Sequence, residues 1–538
     1  MADIKWWQDR IVYQIYPMSF CDSNGDGIGD IKGIISKLDY LKELGVGVLW
    51  LSPLYPSPNK DNGYDISDYC AIHENFGTLA DMEELLAEAK QRDLKILMDL
   101  VINHTSDQHE WFQKSRRRIE PYTDFYIWKA GEKGKKPSNW GSFFGEDCWA
   151  YDDLRGEYYL HLFAKEQPDL NYHNEAVIQA VEAVMRFWLD KGIDGFRCDV
   201  INILFKDSLD NGRWRPALTG REHYISTEGT HVLLNRFNKE VFSHYDCFTV
   251  GETVFVTPPM ADDLVNPRRD ELNAVFSFEH METDCYAIKW FIRPFSPDRF
   301  FKTLSKWQNA LNWNTLYFEN HDQPRSVSRF GDDGKFHKES AKALALLLLS
   351  LRGSAFIFEG QEIGMTNFDY PDMQKIRDVE SINIWNLTGR LHLPKKLRWK
   401  MIKLKSRDNA RTPMQWNSEE NGGFTTGVPW LSVNKNYLCM NVEKQRADDN
   451  SVLSFYRNMI ALRNSSAVLK QGSFRELYCR AGVYAYVRQL NGDMLSVVIN
   501  LTPKEQKSPI SGKALISNYG REYINGTLAP FEAAIIGR

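Results

Sequence analysis

The sequence predicts an α/β protein: a (β/α)8 TIM barrel with a loop-rich domain inserted after strand 3 and a C-terminal antiparallel β domain. Apolar runs that resemble strands alternate with amphipathic segments over the first three quarters, and the last part changes to short alternating strand patterns. Eight strands and their crossover helices favour a closed parallel barrel. No GxGxxG or GxxxxGK[ST] loop follows the first strand, which disfavours an open doubly wound sheet. The eight predicted strands are 11–16, 48–52, 95–100, 195–199, 247–252, 274–278, 315–320 and 355–358.

Amphipathic segments between the strands, for instance 79–92, 175–191 and 339–351, predict the crossover helices. Two loop-rich stretches are too long for ordinary connections and predict insertions. A last helix near 451–463 precedes three alternating pieces at 483–488, 495–500 and 533–536, which predict the β domain. The expected division is 1–104 for the first part of the barrel, 105–173 for the inserted domain, 174–464 for the second part of the barrel with an insert at about 367–427 after strand 8, and 465–538 for the C-terminal β domain.

Composition limits the classes of partner and compartment. The 538 residues are 43% hydrophobic and 25% charged, with a net charge of −5, so we expect neither a nucleic-acid nor a membrane partner. The longest apolar stretch, 343–351, is too short to cross a bilayer, and no signal peptide is visible at the N-terminus. Eight cysteines without a CxxC pair favour reduced thiols. We therefore expect a cytoplasmic protein, and a monomer.

Three carboxylates stand where apolar runs end: Asp199, Glu252 and Asp322. In a barrel, catalytic groups gather at the C-terminal ends of several strands. Cleavage of an acetal needs one carboxylic acid to protonate the leaving oxygen and one carboxylate to attack or stabilise an oxocarbenium-like centre. A single strand-end acid more often caps a helix or forms an ion pair. Three acids together with His104 and His321 favour a catalytic site instead.

Four ordered segments resemble the conserved regions of the α-amylase family of glycoside hydrolases. They are DLVINH at 99–104, GFRCD at 195–199, GE at 251–252 and NHD at 320–322. Four further segments resemble its oligo-1,6-glucosidase, dextran glucosidase and α-glucosidase branch: QIYP at 14–17, NGYDI at 62–66, QPDLN at 167–171 and SRDNARTPMQW at 406–416. The resemblance extends over essentially the whole chain.

The resemblance implies a retaining mechanism in which Asp199 is the nucleophile, Glu252 the general acid/base and Asp322 the stabiliser of the transition state. Arg197 precedes Asp199 by two residues on the same strand face, so we expect it to keep that carboxylate ionised. We expect Glu252 to lie in a less charged, partly desolvated setting that raises its pKa. His104 and His321 are expected to hydrogen-bond the sugar ring.

A closed pocket is expected around the terminal glucose. Asp61 and Arg407 are predicted to pair at its closed end, and Tyr64 to stack under the sugar. Such a wall admits only a non-reducing end, so cleavage would be exo. Phe144, Phe163 and Gln167 are candidates for the pocket wall, with simple packing an equally good interpretation. In the similar enzymes Val after the nucleophile accompanies α-1,6 linkages, and this chain has Val200, so the expected substrates are isomaltose and short isomalto-oligosaccharides.

The segment DSNGDGIGD at 22–30 spaces oxygen ligands two residues apart, as hard cations require. Its twelfth position is Gly33 rather than a bidentate acid, and a polar turn is the alternative interpretation. The resemblance implies one structural Ca²⁺ or Mg²⁺, and no organic cofactor is expected. The implied ligands are Asp22, Asn24, Asp26 and Asp30 through their side chains and Ile28 through its carbonyl.

Four alternatives stay open at this stage. A trehalose-6-phosphate hydrolase would need a basic patch beside the second subsite. A sucrose isomerase would carry an Arg-rich loop after Asp322, where this chain has RSVSRFGDD at 325–333. A sucrose- or α-1,4-acting α-glucosidase or transglucosidase would share most motifs. A transporter heavy chain of related fold would need an N-terminal membrane span and could lose the acids, which this chain keeps.

Overall fold

Eight parallel strands form the barrel in a computed structural model that describes residues 4–145, 147–215, 217–286 and 288–537. In chain order they are β1 Val12–Ile15, β2 Val48–Leu51, β3 Lys95–Leu100, β4 Gly195–Cys198, β5 Phe248–Glu252, β6 Ala274–Phe276, β7 Thr315–Leu316 and β8 Ser354–Phe358. Hydrogen bonding runs from β7 through β8 and β1 to β6. Between β6 and β7, the Thr315 hydroxyl donates to the Val275 carbonyl at 2.8 Å. The predicted barrel is confirmed.

The seventh strand is shorter than predicted. Only Thr315–Leu316 join the ladder, although Tyr317 and Phe318 are buried as well. Beyond them the Glu319 carboxylate accepts from the Ser326 amide, and Asn320 bridges to Gln323. The chain therefore leaves the sheet early to form the turn that carries the acid at position 322.

Helices surround the barrel because one face of each is apolar. Helix Glu175–Asp190 buries Val177, Val181, Met185 and Trp188, the spacing of one helical face. The α-helices of the described ranges are Pro17–Phe20, Ile31–Ser36, Leu38–Leu44, Leu79–Gln91, Glu110–Ser115, Glu175–Asp190, Glu228–Glu240, Pro258–Val265, Pro297–Ala310, Ser326–Phe330, His337–Ser350, Val379–Arg390, Lys395–Lys405, Asp408–Arg411, Val442–Arg446, Val452–Ser465 and Ala467–Gln471. None of the helices in the described ranges is long and apolar enough to span a bilayer.

Two inserted segments cover the C-terminal end of the barrel. After β3, the strands Trp128–Lys129, Trp149–Asp152 and Glu157–Leu160 form a small antiparallel sheet. After β8, the helices Val379–Arg390 and Lys395–Lys405 pack around Trp290 and Tyr370. A hairpin of Cys285–Tyr286 and Ile288–Ile292 follows β6. The hairpin was not predicted, because its residues show no clean alternation.

The C-terminal residues form the predicted antiparallel β domain. Its six strands, in spatial order, are Ser473–Arg480, Val483–Leu490, Asp493–Asn500, Ala533–Gly537, Gly512–Ser517 and Tyr523–Ile524, and Gln506–Lys507 pairs separately with Thr527–Leu528. The Tyr486 hydroxyl lies 2.6 Å from Ser350 Oγ at the end of helix His337–Ser350. That helix is almost entirely buried because it lies between the barrel and this sheet.

Candidate active site

A cavity of about 210 Å³ opens at the C-terminal ends of the barrel strands. Its lining includes ten of the thirteen predicted catalytic and substrate-binding residues: Asp61, Tyr64, His104, Phe144, Phe163, Asp199, Val200, Glu252, Asp322 and Arg407. Arg197, Gln167 and His321 are buried directly behind this lining and bond to residues in it. Residues far apart in the chain thus form one site.

A larger cavity of about 550 Å³ lies between the hairpin and helix Lys395–Lys405. Its described lining combines aromatic and aliphatic side chains with four cationic ones, and Asp284 is the acid among them. Both Arg329 and Lys405 pair with this aspartate. Volume alone therefore does not locate the chemistry, which needs paired carboxylates.

Arg197 joins the two acids that would carry out the chemistry. Strand register places it beside Asp99 on β3 and Val250 on β5. Its Nη1 lies 2.6 Å from Asp99 Oδ1 and 2.5 Å from Asp199 Oδ1. Its Nη2 lies 2.7 Å from Glu252 Oε2. One buried guanidinium therefore holds three carboxylates in fixed positions.

Burial sets the protonation of the pair. It raises the pKa of Asp199 to about 6 against the lowering effect of Arg197. It also raises the pKa of Glu252 to about 7, again opposed by Arg197, while the charges of Asp199 and Asp322 add to the rise. Near neutral pH the proton therefore resides mainly on Glu252, as the assigned roles require.

The expected setting of Glu252 was wrong in one respect. Arg197 does not serve Asp199 alone, because Glu252 shares the same guanidinium, and its surroundings are charged rather than charge-poor. The direction of the pKa shift nevertheless agrees with the expectation, because desolvation outweighs the attraction of the arginine.

Asp322 has the opposite electrostatic character. Its Oδ1 lies 2.7 Å from Arg411 Nη2 and 3.4 Å from Arg407 Nη1, and its Oδ2 lies 3.2 Å from His321 Nε2. Burial would raise its pKa, but these three groups hold it well below the usual range. Its side chain is 28% exposed, against 9% for Asp199 and 10% for Glu252. It is a permanently ionised acceptor facing the cavity, suited to gripping hydroxyl groups.

The closed end of the cavity is built around Arg407. Its Nη2 lies 3.0 Å from Asp61 Oδ1, and its Nε donates to Asp378 Oδ1 at 2.7 Å. The ring of Phe144 lies against the guanidinium, with its centroid 5.5 Å from Cζ. Gln167 Nε2 lies 3.3 Å from Asp61 Oδ2, so this amide supports the wall from behind.

Tyr64 and His104 complete the floor, and His321 lies directly behind Tyr64. The ring of Tyr64 is parallel to that of His321, with centroids 5.3 Å apart. His104 Nε2 lies 3.1 Å from Gln167 Nε2, and its ring packs 5.1 Å from that of Phe163. Burial lowers the pKa of both histidines, which favours neutral rings that hydrogen-bond their neighbours in the site.

Val200 has an unusual backbone. Its φ of 36° and ψ of 40° lie in the left-handed region, which costs a β-branched residue about 1–3 kcal/mol. In this conformation its amide N–H donates to Glu252 Oε2 at 3.2 Å. Sequence reasoning considered only its side chain and missed the contact of its amide with the acid.

Several residues of the site were not predicted. Arg411 follows Arg407 by four residues, so helical spacing could have indicated it, whereas Asp378 comes from an insert whose docking the sequence does not reveal. Asp99 belongs to the motif DLVINH, but no role was predicted for it. The cavity also includes Phe143, Val254, Phe278, Lys289, Gln323 and Glu380.

The predicted metal loop lies away from these acids, against residues 425–430. Asp22 Oδ1, Asn24 Oδ1 and Asp26 Oδ1 each accept a backbone N–H of the loop. Asp30 uses both oxygens, one for Ser23 and one for the Gly33 amide as the cap of helix Ile31–Ser36. The all-oxygen set suits a hard cation. Over the described ranges, no three His, Cys, Asp or Glu side chains are already grouped as metal ligands.

A barrel with paired, unequal carboxylates in a sugar-sized cavity defines a glycoside hydrolase. The family model "Alpha amylase, catalytic domain" matches residues 14–472. The chain is 48% identical to the oligo-1,6-glucosidase of Parageobacillus thermoglucosidasius over 98% of each chain. Its fold matches the crystal structure of Bacillus licheniformis trehalose-6-phosphate hydrolase (TM-score 0.94, 43% identity, 99% of each chain) and that of isomaltulose synthase from Klebsiella sp. LX3 (TM-score 0.96, 38% identity, 99% of each chain).

The chain therefore belongs to the α-amylase family of glycoside hydrolases. The family model ends at the boundary of the C-terminal sheet, whose first strand begins at Ser473. The family resemblance inferred from the sequence motifs is confirmed.

Proposed function

We propose that the protein is a retaining, exo-acting α-glucosidase that releases terminal α-1,6-linked glucose from isomaltose and short isomalto-oligosaccharides. The observation that carries the proposal is the cavity of about 210 Å³, with Arg407 and Asp61 at one end and Asp199 and Glu252 in its wall. This volume lies below the range of about 300–1,000 Å³ of ordinary ligand clefts, so it suits one sugar ring rather than a chain that passes through. The similarity to an oligo-1,6-glucosidase supports the same substrate class.

The reaction would proceed in two displacements at the anomeric carbon. Glu252 gives its proton to the glycosidic oxygen while the Asp199 carboxylate attacks the carbon, so the C–O bond breaks and a β-glucosyl ester forms. Glu252, now ionised, takes a proton from water as the water oxygen attacks the same carbon. The ester bond breaks, glucose leaves in the α configuration, and Asp199 and Glu252 return to their starting states.

Arg197 supports both halves of this cycle. In the first half negative charge leaves Asp199 and appears on Glu252, and in the second half it returns. Because one guanidinium touches both carboxylates, the positive charge need not move as the negative charge is exchanged.

The choice of linkage would depend on Val200, which lies in the cavity wall immediately after the nucleophile. Its β-branched side chain narrows the space beside the acid/base, and its strained backbone keeps that side chain in one position. An α-1,6 linkage contains an additional methylene carbon, so the leaving sugar stands farther from this wall than in an α-1,4 linkage. This argument supports isomaltose over maltose.

The cations in the cavity argue against a phosphorylated substrate. Among the described lining residues they are Lys289 and Arg407. Lys289 pairs with Glu380, while Arg407 pairs with Asp61 and Asp378. A phosphate dianion would need a cation free of such partners. The cavity therefore suits a neutral sugar better than trehalose 6-phosphate.

Sucrose isomerisation is also less well supported. Arg325 and Arg329 of the segment 325–333 are not among the described residues that line the cavity, although Arg329 donates to Gln323 of the lining. Arg325 bonds Glu319 and the Ala410 carbonyl, and Arg329 pairs with Asp284. Neither guanidinium is available to retain a fructose leaving group, which leaves water as the better-supported acceptor.

We further propose that the loop at 22–30 binds one Ca²⁺ or Mg²⁺ with a structural role, through the Asp22, Asn24, Asp26 and Asp30 side chains and the Ile28 carbonyl. The loop packs on the end of the second insert: Thr425 Oγ1 donates to Asp22 Oδ2 at 2.5 Å. A cation there would stabilise this junction without touching the reacting atoms.

The working state that we propose is a monomer in the cytoplasm. All eight cysteines are free thiols, which supports a reducing compartment.

One assay tests the function: initial rates on isomaltose, panose, dextran, maltose, sucrose and trehalose 6-phosphate under identical conditions. We expect isomaltose and panose to be hydrolysed fastest, dextran slowly, and the first product to be α-glucose. The matched control is Asp199→Asn, which keeps the side-chain shape and should be inactive on every substrate. A higher rate on trehalose 6-phosphate or maltose than on isomaltose would overturn the proposed specificity.

A further inference from the structure

Gln14 is a polar residue in the middle of an otherwise apolar strand. It lies on β1, paired with Trp50 on β2 and Phe358 on β8, and is 2% exposed. A buried primary amide is unfavourable unless its hydrogen-bonding groups find partners. Its contacts therefore indicate what the amide does.

The amide nitrogen of Gln14 has two partners. It donates to Ser52 Oγ at 3.2 Å and lies 2.8 Å from His321 Nδ1. The NH₂ group is donor-only, so Nδ1 must accept and carries no proton. Ser52 takes the second hydrogen, which fixes the orientation of the amide.

The other ring nitrogen of His321, Nε2, must carry the proton. His321 Nε2 lies 3.2 Å from the carboxylate oxygen of Asp322 and 2.7 Å from the hydroxyl oxygen of Tyr64. The Tyr64 hydroxyl in turn donates to Asp99 Oδ2 at 3.1 Å, so its oxygen is free to accept. Both neighbours accept from a protonated Nε2.

We propose that Gln14 is a positioning residue that fixes the Nε2–H tautomer of the neutral His321 ring. The contacts form one directed series. Gln14 donates to His321, His321 donates to Asp322 and Tyr64, and Tyr64 donates to Asp99, which shares Arg197 with the nucleophile. With the opposite tautomer, a lone pair of Nε2 would face the Asp322 carboxylate, and the oxygen that grips the sugar would lose a donor.

The charged and titratable groups around the ring are consistent with a neutral imidazole. They are Asp322, Glu252, Arg197 and Arg411, with Tyr64 and Tyr16 packed on its faces. Burial lowers the pKa of His321, and both arginines act in the same direction against the aspartate. The ring is therefore neutral at the pH where the enzyme would work, and its tautomer matters.

The inference rests on the proposed glycosidase function for its kinetic test, and the variants are Gln14→Glu and Gln14→Met. A carboxyl group at position 14 would share one proton with His321 Nδ1, as an imidazolium–carboxylate pair or as a carboxylic acid that donates like the amide. Either form preserves Nε2–H. When the shared proton is lost at higher pH, the carboxylate at position 14 accepts from a protonated Nδ1, and Nε2 no longer carries the hydrogen that Asp322 and Tyr64 need. Gln14→Met removes the donor and leaves no titrating group.

We expect Gln14→Glu to approach wild-type kcat/KM on p-nitrophenyl α-glucoside at acid pH and to lose activity as the pH rises through a new alkaline limb. Gln14→Met should be about tenfold less active at all pH values, because a buried acceptor is left unpaired. The matched control is Gln308→Glu, a buried amide on helix Pro297–Ala310 that bonds Arg352, and it should have the wild-type profile. A Gln14→Glu profile parallel to wild type, or full activity of Gln14→Met, would overturn the proposal.

A substrate-free measurement keeps the inference separate from the proposed function. Imidazole nitrogen shifts of the full chain, labelled with ¹⁵N-histidine, distinguish protonated from unprotonated ring nitrogens, and a His321→Asn spectrum assigns the signals. We expect Nε2 protonated and Nδ1 bare in the wild type. A protonated Nδ1 would refute the inference even if neither variant folds, whatever the substrate proves to be.

Discussion

Replacing Glu252 by glutamine should stabilise the protein at alkaline pH while it abolishes acid catalysis. The pKa of this carboxyl rises from 4.5 to about 7, chiefly through burial. The unfolded chain therefore loses its proton about 2.5 pH units before the folded chain does. At 1.36 kcal/mol per pH unit, the ionised carboxylate lowers the free energy of unfolding by about 3 kcal/mol.

The sign determines the pH window. Between the unfolded and folded pKa values the folded state binds more protons, so stability falls as the pH rises from about 4.5 to about 7 and is then constant. Below the unfolded pKa both states are protonated and this contribution vanishes. Glutamine cannot ionise, so Glu252→Gln should match wild type at pH ~4.5 and exceed it by about 3 kcal/mol at pH ~8.

The melting temperature provides the assay. At about 2.1 cal/mol/K per residue, the unfolding entropy of a chain of 538 residues makes 1 kcal/mol worth about 1 °C. The variant should therefore melt about 3 °C higher at alkaline pH, and no higher in acid. An equal shift at both pH values would show that packing rather than charge is responsible, and the absence of any alkaline shift would refute the assigned electrostatics.

The same variant separates the two chemical steps. Loss of the proton donor should lower kcat/KM on isomaltose by about 10²–10⁴-fold. α-Glucosyl fluoride needs little acid assistance because its leaving group is good, so its first step should survive. Azide can then attack the ester on Asp199 without a base and should give α-glucosyl azide. A β-configured azide product would exclude the covalent retaining mechanism.

The other predictions concern the nucleophile, the linkage, the closed end and the cation. Asp199→Ala should abolish hydrolysis of p-nitrophenyl α-glucoside with an unchanged circular dichroism spectrum; activity near wild type would exclude it as nucleophile. Val200→Ala should raise the maltose-to-isomaltose ratio of kcat/KM about tenfold, since a pocket changed by one or two methyl groups discriminates on that scale; an unchanged ratio locates linkage choice elsewhere. Arg407→Met should raise KM for isomaltose at least about tenfold, because Asp61 and Asp378 lose their buried cation, and an unchanged KM would contradict the role of the clamp. Chelation should lower Tm more than specific activity, and if EDTA alters neither, the loop at 22–30 binds no cation.

The barrel could be predicted because parallel strands buried on both faces are continuous apolar runs. β2, β3 and β8 begin or end within a residue or two of their predicted limits. β7 could not be delimited in this way, because Tyr317 and Phe318 are as apolar as the strand although they leave the ladder. What ends the strand is a set of side-chain bonds from Glu319, which no local pattern records.

The site was predictable where two of its groups are close neighbours along one strand and its end. Asp199 directly follows β4, two residues after Arg197, so their contact follows from the strand period of two. The contact of Arg197 with Glu252 depends on the register between β4 and β5, and that of Arg407 with Asp378 on how the second insert docks. Such contacts depend on tertiary structure. The sequence therefore did not reveal that Arg197 reaches Glu252, and the surroundings of Glu252 were expected to be less charged than they are.

The reactive features of this site are also its least stable ones. Asp199 and Glu252 both have raised pKa values because their charges are buried, and Val200 adopts a backbone conformation that a β-branched residue avoids. The two costs are linked, since the left-handed turn at Val200 aims its amide at the Glu252 carboxylate. A glycine at position 200 would relieve the strain but free the turn, so the acid/base would lose a fixed donor. Local strain here therefore serves to fix the orientation of the Glu252 carboxyl group: Oε2 accepts from the Val200 amide and lies against Arg197, so the acidic proton is left to the other oxygen, Oε1.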